Sequence, residues 1–420
     1  MIWLLACGSG IHDVDAVLSE DIHTVLTVSW ATDEPTQGHV EYWTDGDPAQ
    51  TGLTELGTEH QATLFAPADT TVSFKIVVPE GRGDESGTTT AETGALPLDL
   101  PILELSGQAH DAFMTVPLIG QVTGPLILDG AGNILWYHLD DRGLDVYRAR
   151  LSLDGESLLY NAASVSGNPD EGSELVRISL DGSSVETVSV PLLAHDFVEL
   201  PDGTIAAMVV EYRDYEGEAL RGDSIVEIAP DGTQTTVWSS WDCWDVEETL
   251  DDPDLGWTFA NALDYHDGGY LLGMRNFSSI ARIDRDGTCD WVFGRTGATF
   301  EAADGSATFL HQHQFELFDG RLLVFDNEGL AGSQSRVLEY DFDPDAGLAE
   351  EIWSYSPTPS IYSFVLGDVA RMDDGDTLVT WSASGQIDRV TADGEATWTL
   401  NTPVGYVLGF DTVSTSLYPQ

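Results

Sequence analysis

An Asp-Gly pair that returns at the same point of a recurring pattern constrains the fold of this chain more than any other feature. It closes the runs Arg148-Ala-Arg-Leu-Ser-Leu-Asp-Gly, His195-Asp-Phe-Val-Glu-Leu-Pro-Asp-Gly, Phe259-Ala-Asn-Ala-Leu-Asp-Tyr-His-Asp-Gly, His313-Gln-Phe-Glu-Leu-Phe-Asp-Gly and Gly367-Asp-Val-Ala-Arg-Met-Asp-Asp-Gly. Each run is followed by an apolar strand and then by a strand ending near a second turn, at Asp181-Gly182, Asp231-Gly232, Asp286-Gly287, Asp345-Ala-Gly347 or Asp393-Gly394. A closing strand with tryptophan often completes the unit, as at Trp238, Trp291, Trp353 and Trp398. Four strands per unit, repeated at about 50 residues, is the signature of a β-propeller. A sixth unit is expected from Gly120 to Tyr137, with Asp129-Gly130 and Trp136, joined by the terminal Tyr406-Val-Leu-Gly-Phe-Asp-Thr-Val. Pairing the end of the chain with the start of the repeat would leave no open sheet edge.

The repeat also sets direction. In antiparallel units both Asp-Gly turns fall on one face, so first strands begin, and second strands end, on the other. His195 and His313 begin first strands, whereas Arg275 and Asn327 end second strands, and all four are expected at one mouth of the central channel, where strands of several units converge. His313 opens the alternating Phe315 and Leu317, Asp319-Gly320 makes the hairpin turn, and Leu322 to Phe325 returns. His311 and His313 would share one strand face. That spacing also suits a metal, but no third ligand accompanies the pair and none is expected to bind. The same reasoning puts Cys243 near the mouth and Cys289 near a turn on the opposite face. Faces a strand apart are separated by roughly 17 to 20 Å, and a disulfide needs Cα atoms within roughly 7 Å, so the two cysteines are expected not to pair.

The 420 residues exceed what one core usually serves. From Ile22 to about Thr93, the short segments Thr24–Ala31, His39–Trp43, Gln61–Phe65 and Val72–Val78 alternate with turns and read as a small β-sandwich with Trp30 and Tyr42 in its core. This stretch resembles an immunoglobulin or fibronectin type III module. The expected organisation is all-β: a terminal segment over residues 1–11, the sandwich over 12–98, a stiff link at Leu96 to Pro101, and a six-bladed propeller over 99–420. In the first segment, Leu-Leu-Ala before Cys7 resembles the cleavage box of bacterial lipoproteins, which would make Cys7 the lipidated residue. The protein is therefore expected to be exported, as a periplasmic or cell-surface lipoprotein touching membrane only through that anchor. With 72 acidic against 16 basic residues, a formal charge of -56, the surface would repel nucleic acid and anionic membranes.

From about residue 100 to 420 the chain resembles the bacterial arylsulfate sulfotransferases. The resemblance rests on Gln312-His313 with Leu-Val-Phe-Asp-Asn downstream, Trp257-Thr-Phe-Ala-Asn261, Met274-Arg-Asn-Phe-Ser278, His195-Asp-Phe and the closing Ser416-Leu-Tyr-Pro419. It implies that His313 takes the place of the histidine that is transiently sulfated, that Arg275 and His195 bind the transferred group, and that Phe259, Asn261, His311 and Asn327 line the substrate. Phe259 departs from the family pattern Trp-Thr-His-x-Asn, where a further histidine would stand.

The chemistry fits these residue types without the family. Sulfuryl transfer from an aryl sulfate needs a nucleophile, donors for the sulfonate oxygens and help for the leaving phenoxide. A neutral imidazole supplies the first, the planar fork of Arg275 the second, and a charged His195 or His311 the third. No metal or organic cofactor is required. The partners implied are a small aryl sulfate donor and a phenolic acceptor. Two other readings stay open: a propeller that has lost catalysis with Phe259 and binds a ligand or protein at its mouth, and a sulfate-ester hydrolase on the same residues.

Overall fold

Aspartate followed by glycine suits a tight reversal, because the carboxylate can accept from an N–H two residues on while glycine takes positive φ without steric cost. At Asp267-Gly268 and Asp319-Gly320 both residues have positive φ, at 45° and 80° and at 45° and 71°. These are two-residue hairpins that close the pairs His266 with Gly269 and Phe318 with Arg321. Elsewhere the carboxylate does the local work: Asp154, Asp202 and Asp374 accept from the N–H of Glu156, Thr204 and Asp376 at 2.9, 3.1 and 3.1 Å. Asp181, Asp231 and Asp286 do the same at the second turns.

Between these turns, in a computed structural model of the chain, the secondary structure is almost wholly strand. Residues 10–46, 48–79, 84–163, 172–249, 256–300, 302–303, 308–328, 334–403, 407–409, 411–414 and 416–418 are described. Cys7 and Tyr406 lie outside them.

Six antiparallel sheets follow one another from residue 104 onward. The first holds Phe113–Ile119, Gly124–Leu128 and Ile134–Tyr137, with Val407–Leu408 and Asp411–Ser414 paired on the free side of Phe113–Ile119. The second holds Asp145–Leu151, Ser157–Ala163, Glu174–Ser179 and Val185–Ser189; the third Leu193–Glu199, Ile205–Tyr215, Glu218–Ile228 and Gln234–Ser239. The fourth holds Ala260–His266, Gly269–Met274, Ser279–Asp284 and Cys289–Gly294; the fifth Phe315–Phe318, Arg321–Asp326, Arg336–Asp343 and Leu348–Tyr355. The sixth holds Asp368–Arg371, Thr377–Trp381, Gln386–Val390 and Ala396–Asn401, and takes Glu104–Gly107 as a fifth strand on its outer edge. The first sheet thus begins earlier than the turn pattern indicates. Phe113–Ile119 carries Pro117 and a continuous buried run, Met114 to Leu118, which hides it from a search for alternation.

Tryptophans on closing strands tie sheet to sheet. The indole N–H of Trp136 donates to Leu180 O at 3.0 Å, that of Trp353 to Ala392 O at 2.9 Å, and that of Trp398 to Gly130 O at 2.8 Å. Each crosses from one closing strand to the second turn of the next sheet, and the last runs from the sixth sheet back to the first. Trp136 and Trp398 are fully buried, and an unpaired indole N–H there would cost about 1–3 kcal/mol.

At the equivalent place between the third and fourth sheets stands a disulfide, Cys243–Cys289, with Cα atoms 6.3 Å apart and the Trp238 indole N–H within 3.1 Å of Cys243 Sγ. This overturns the expectation that the cysteines remain apart. The chain does not run on to the mouth after Gln234–Ser239. A 3-10 turn at Ser240–Asp242, capped by the Ser239 side chain, reverses it over Trp238 and returns Cys243 to the start of the neighbouring closing strand.

Ahead of the six sheets, His12–Leu18, Val25–Thr36 and Gly57–Phe65 form one sheet and His39–Trp43, Ala49–Gln50, Thr71–Val78, Asp84–Glu85 and Thr89–Glu92 another. Both contribute to one core of Leu26, Val28, Trp30, Val40, Leu64, Val72, Phe74 and Ile76. This unit is bolted to the rest: Ile22, Val25 and Phe65 join the core of the first, second and sixth of these sheets, and Tyr418 Oη donates to Tyr42 Oη at 2.9 Å.

Candidate active site

A buried carboxylate centres the inner strands. Asp196, on the first strand of the third sheet, accepts from Arg148 Nε at 3.1 Å, Arg150 Nη2 at 3.2 Å, Gln314 Nε2 at 3.0 Å and Leu263 N at 2.9 Å. Arg148 also binds Asp368, so the second to sixth sheets all reach this knot. Burial alone would raise the Asp196 pKa, but the charges of Arg148 and Arg150 and the donated hydrogen bonds outweigh it and hold the carboxyl well below its usual range.

Beside the knot lie the two histidines that the repeat places at the mouth. The ring centroids of His195 and His313 are 6.0 Å apart. His195 is also 5.4 Å from Phe259 and 5.4 Å from Tyr147. Phe259, at φ 47°, in turn lies under two guanidinium groups, with Arg221 Cζ 4.4 Å and Arg275 Cζ 5.9 Å from its ring centroid. The structure therefore brings together His195, His313, Phe259 and Arg275 from the third, fourth and fifth sheets. Neither His195 Nδ1 nor His313 Nδ1 has a hydrogen-bond partner.

Burial pushes the His195 pKa down to about 3, helped by Arg221 and Arg275 and opposed by Asp196. Burial, His195, Arg148 and Arg275 push His313 well below its ordinary value. Both imidazoles are thus neutral at neutral pH. A neutral ring is what a nitrogen nucleophile requires. It also means that His195 is not the charged donor expected from the sequence, because positive neighbours and desolvation both disfavour its protonated form.

The remaining candidates are braces around this cluster. Asn261 Nδ2 donates to Gln312 O at 2.8 Å, fixing the residue before His313, and Gln312 Nε2 donates to Met274 O and Ser279 O on either side of Arg275. Asn327 Nδ2 donates to Ser363 O and Leu366 O, both at 2.7 Å, holding the segment that leads into the sixth sheet. The Oδ1 atoms of both asparagines are buried without partners. His311 departs from the expected strand face. It has φ 54°, the strand begins only at Phe315, and its N–H donates to Ser278 Oγ at 3.0 Å. Positive φ breaks the alternation that would align it with His313. His311 Nδ1 lies 2.8 Å from Glu328 Oε1, outside hydrogen-bond geometry, and the same oxygen is 3.9 Å from Arg275 Nη2.

Arg221 is the residue that sequence reasoning missed. Starts of first strands and ends of second strands share one end of each sheet, yet third strands begin at that end too, and Arg221 lies near the start of Glu218–Ile228. Tyr147 could have been found from its place in the first strand of the second sheet. A surface cleft bounded by Asp290, Trp291, Thr299, Phe300 and Pro344 involves none of these residues. Among the described residues no group of three or more His, Cys, Asp or Glu side chains is placed to hold a metal ion.

Comparison with known proteins gives one family. The family model described as Arylsulfotransferase (ASST) matches residues 109–403, which include the whole cluster. No curated protein matches the chain. Among solved structures, a protein of unknown function from Bacteroides caccae is 11% identical, with a TM-score of 0.46 over 69% of this chain and 94% of that one. Virginiamycin B lyase from Staphylococcus aureus is 13% identical, with a TM-score of 0.42 over 74% of this chain and 100% of that one.

Proposed function

This chain belongs to the arylsulfotransferase family, and on that premise we propose that it moves a sulfuryl group from an aryl sulfate to a phenolic acceptor through His313. The observation that carries the reading is the pairing of two neutral, buried imidazoles, His313 and His195, beside the Arg275 guanidinium. The lone pair of an imidazole nitrogen of His313 forms the N–S bond as the S–O bond to the aryl group breaks, and the phenoxide departs with the electron pair. Arg275 offers two parallel donors to the sulfonate oxygens, and His195 hydrogen-bonds the group in flight. The acceptor phenol oxygen then forms a new S–O bond as the N–S bond breaks with its electron pair returning to His313, and the phenol proton passes to the released phenoxide or to water. The channel knot of Arg148, Arg150 and Asp196 keeps the histidines in register.

The six sheets, with strands from both ends of the repeat added to the first and the sixth, support a six-bladed β-propeller over residues 99–420. The two packed sheets before them support an immunoglobulin or fibronectin III-like sandwich over 12–98. The Cys243–Cys289 disulfide supports an oxidising, extracytoplasmic location.

Incubation with 4-nitrophenyl sulfate alone should leave a sulfuryl adduct on His313, seen by intact mass and peptide mapping, and a phenol should discharge it with ping-pong kinetics. His313→Asn should abolish adduct and transfer. An adduct on another residue, or turnover without any adduct, would refute the assignment; discharge by water as fast as by phenol would make the protein a hydrolase.

A further inference from the structure

Arg221 has no task in the reaction as proposed, yet the chain is built to hold it in the site. Trp257 N donates to its carbonyl at 2.7 Å, and the side chain lies against Gly256, where an added Cβ would come within 2.9 Å of Arg221 Cβ. Its Cζ is closer to the Phe259 ring than that of Arg275, at 4.4 against 5.9 Å. Its Nε is buried with no acceptor, and the Asp223 Oδ1 it faces is 3.9 Å from Nη2, beyond hydrogen-bond reach. That Asp223 oxygen is itself unpartnered, while Oδ2 is taken by Thr258 Oγ1 and Ala260 N. Donors buried without acceptors cost stability, and an anion bound there would remove the cost.

We infer that Arg221 is the second guanidinium of the donor-binding site, holding the sulfonate oxygens of an aryl sulfate together with Arg275 beside the Phe259 ring, an inference that rests on the sulfuryl-transfer reading above. The need for it follows from the neutrality of the two imidazoles. As the S–O bond breaks, negative charge grows on the bridging oxygen and the electron pair leaves with the phenoxide. With His195 and His313 neutral, the anionic sulfonate and this growing charge must be met by groups that stay cationic at every working pH, and arginine is such a group. Arg221 neither gives nor takes a proton in this step. The position of Phe259 then reads as an aromatic platform on which two guanidinium groups pack, in place of a third imidazole.

The test measures binding of phenyl sulfate by calorimetry in a His313→Asn background, which blocks turnover. Arg221→Gln should raise Kd by about 10- to 100-fold, the loss of a charge-assisted pair of hydrogen bonds. Arg221→Lys should fall between, because a point charge replaces a planar fork. If Arg221→Gln fails to fold with Asp223 uncompensated, Arg221→Gln/Asp223→Asn carries the same comparison. An unchanged Kd would overturn the inference, even if the wild-type protein transfers sulfuryl groups normally. Weakened binding by Arg221→Gln, together with a wild-type protein that forms no adduct, would instead sink the transfer reading and leave Arg221 as an anion-binding residue.

Discussion

Phe259 is the residue at which the cluster departs from the family pattern, and it packs between His195, Arg221 and Arg275. If the histidine of the family pattern is simply missing, Phe259→His should restore a donor and raise turnover by about 10- to 100-fold. With Arg221 and Arg275 already packed on the ring, the expected gain falls well short of that range, and steady-state rates on 4-nitrophenyl sulfate decide between the two. The depressed histidines make a second prediction. An imidazole of ordinary pKa loses about tenfold in its neutral form for each pH unit below about 6.5. The lowered pKa values of His313 and His195 keep both rings neutral further down, so kcat/KM should fall by less than that between pH 7 and pH 5. For stability the sign is opposite. His39, His60, His110, His138, His195 and His313 all have lowered pKa values in the folded protein, first through burial. The unfolded chain therefore binds protons first as pH falls through about 6.5, and stability present at pH 7 is lost on the way to pH 5. A melting temperature that stayed level or rose over that interval would contradict it.

At the scale of elements, the disulfide and the tryptophans hold the same kind of junction. Cys243–Cys289 closes a span of 46 residues between the third and fourth sheets, and the chain-entropy account gives about 4 kcal/mol for a loop of that size, with measured values more often about 2–4 kcal/mol. Replacing both cysteines by alanine should lower the denaturation midpoint accordingly while the other junctions, held by Trp136, Trp353 and Trp398, stay formed. What was legible in the sequence at this scale followed from local chemistry. Asp-Gly marks a turn wherever it stands, and the period of the turns orders the strands, which is why His195, His313 and Arg275 could be assigned to one mouth. What was not legible depended on tertiary context: the buried, non-alternating strand at Phe113–Ile119, the reversal at Ser240–Asp242 that carries Cys243 to Cys289, and the positive φ that takes His311 out of strand alternation with His313. Arg221 falls between these cases, since the repeat contains its position, but an arginine beside the buried Asp223 reads as an ion pair alone, and only the structure shows that at 3.9 Å this pair leaves Arg221 Nε without a hydrogen-bond acceptor.

Over the whole molecule, the six-sheet region is fastened at two seams. The start of the region adds Glu104–Gly107 to the outer edge of the sixth sheet, and the end of the chain adds Val407–Leu408 and Asp411–Ser414 to Phe113–Ile119 of the first. Beyond that strand the chain continues to Tyr418, whose hydroxyl meets Tyr42 in the preceding unit, so one terminal segment fastens both the first sheet and the junction with the sandwich. Deleting residues 403–420 should therefore do more than remove a strand. It exposes the row of N–H and C=O groups along Phe113–Ile119, opens the core that Leu417 helps to fill, and unpairs the Tyr42 hydroxyl. The expected outcome is a broad, early unfolding transition and association through the new edge, measured by calorimetry and light scattering, whereas Tyr418→Phe, which removes only the hydroxyl pair, should cost about 1 kcal/mol. Salt separates this effect from general repulsion. With a formal charge of -56 the intact protein should gain melting temperature as ionic strength rises and self-repulsion is screened. The truncated protein should gain as well but remain below the intact one at every salt concentration, because screening cannot pair an open edge. Convergence of the two curves at high salt would mean that the terminal strands only offset charge, and would sink the role given to them in closing the fold.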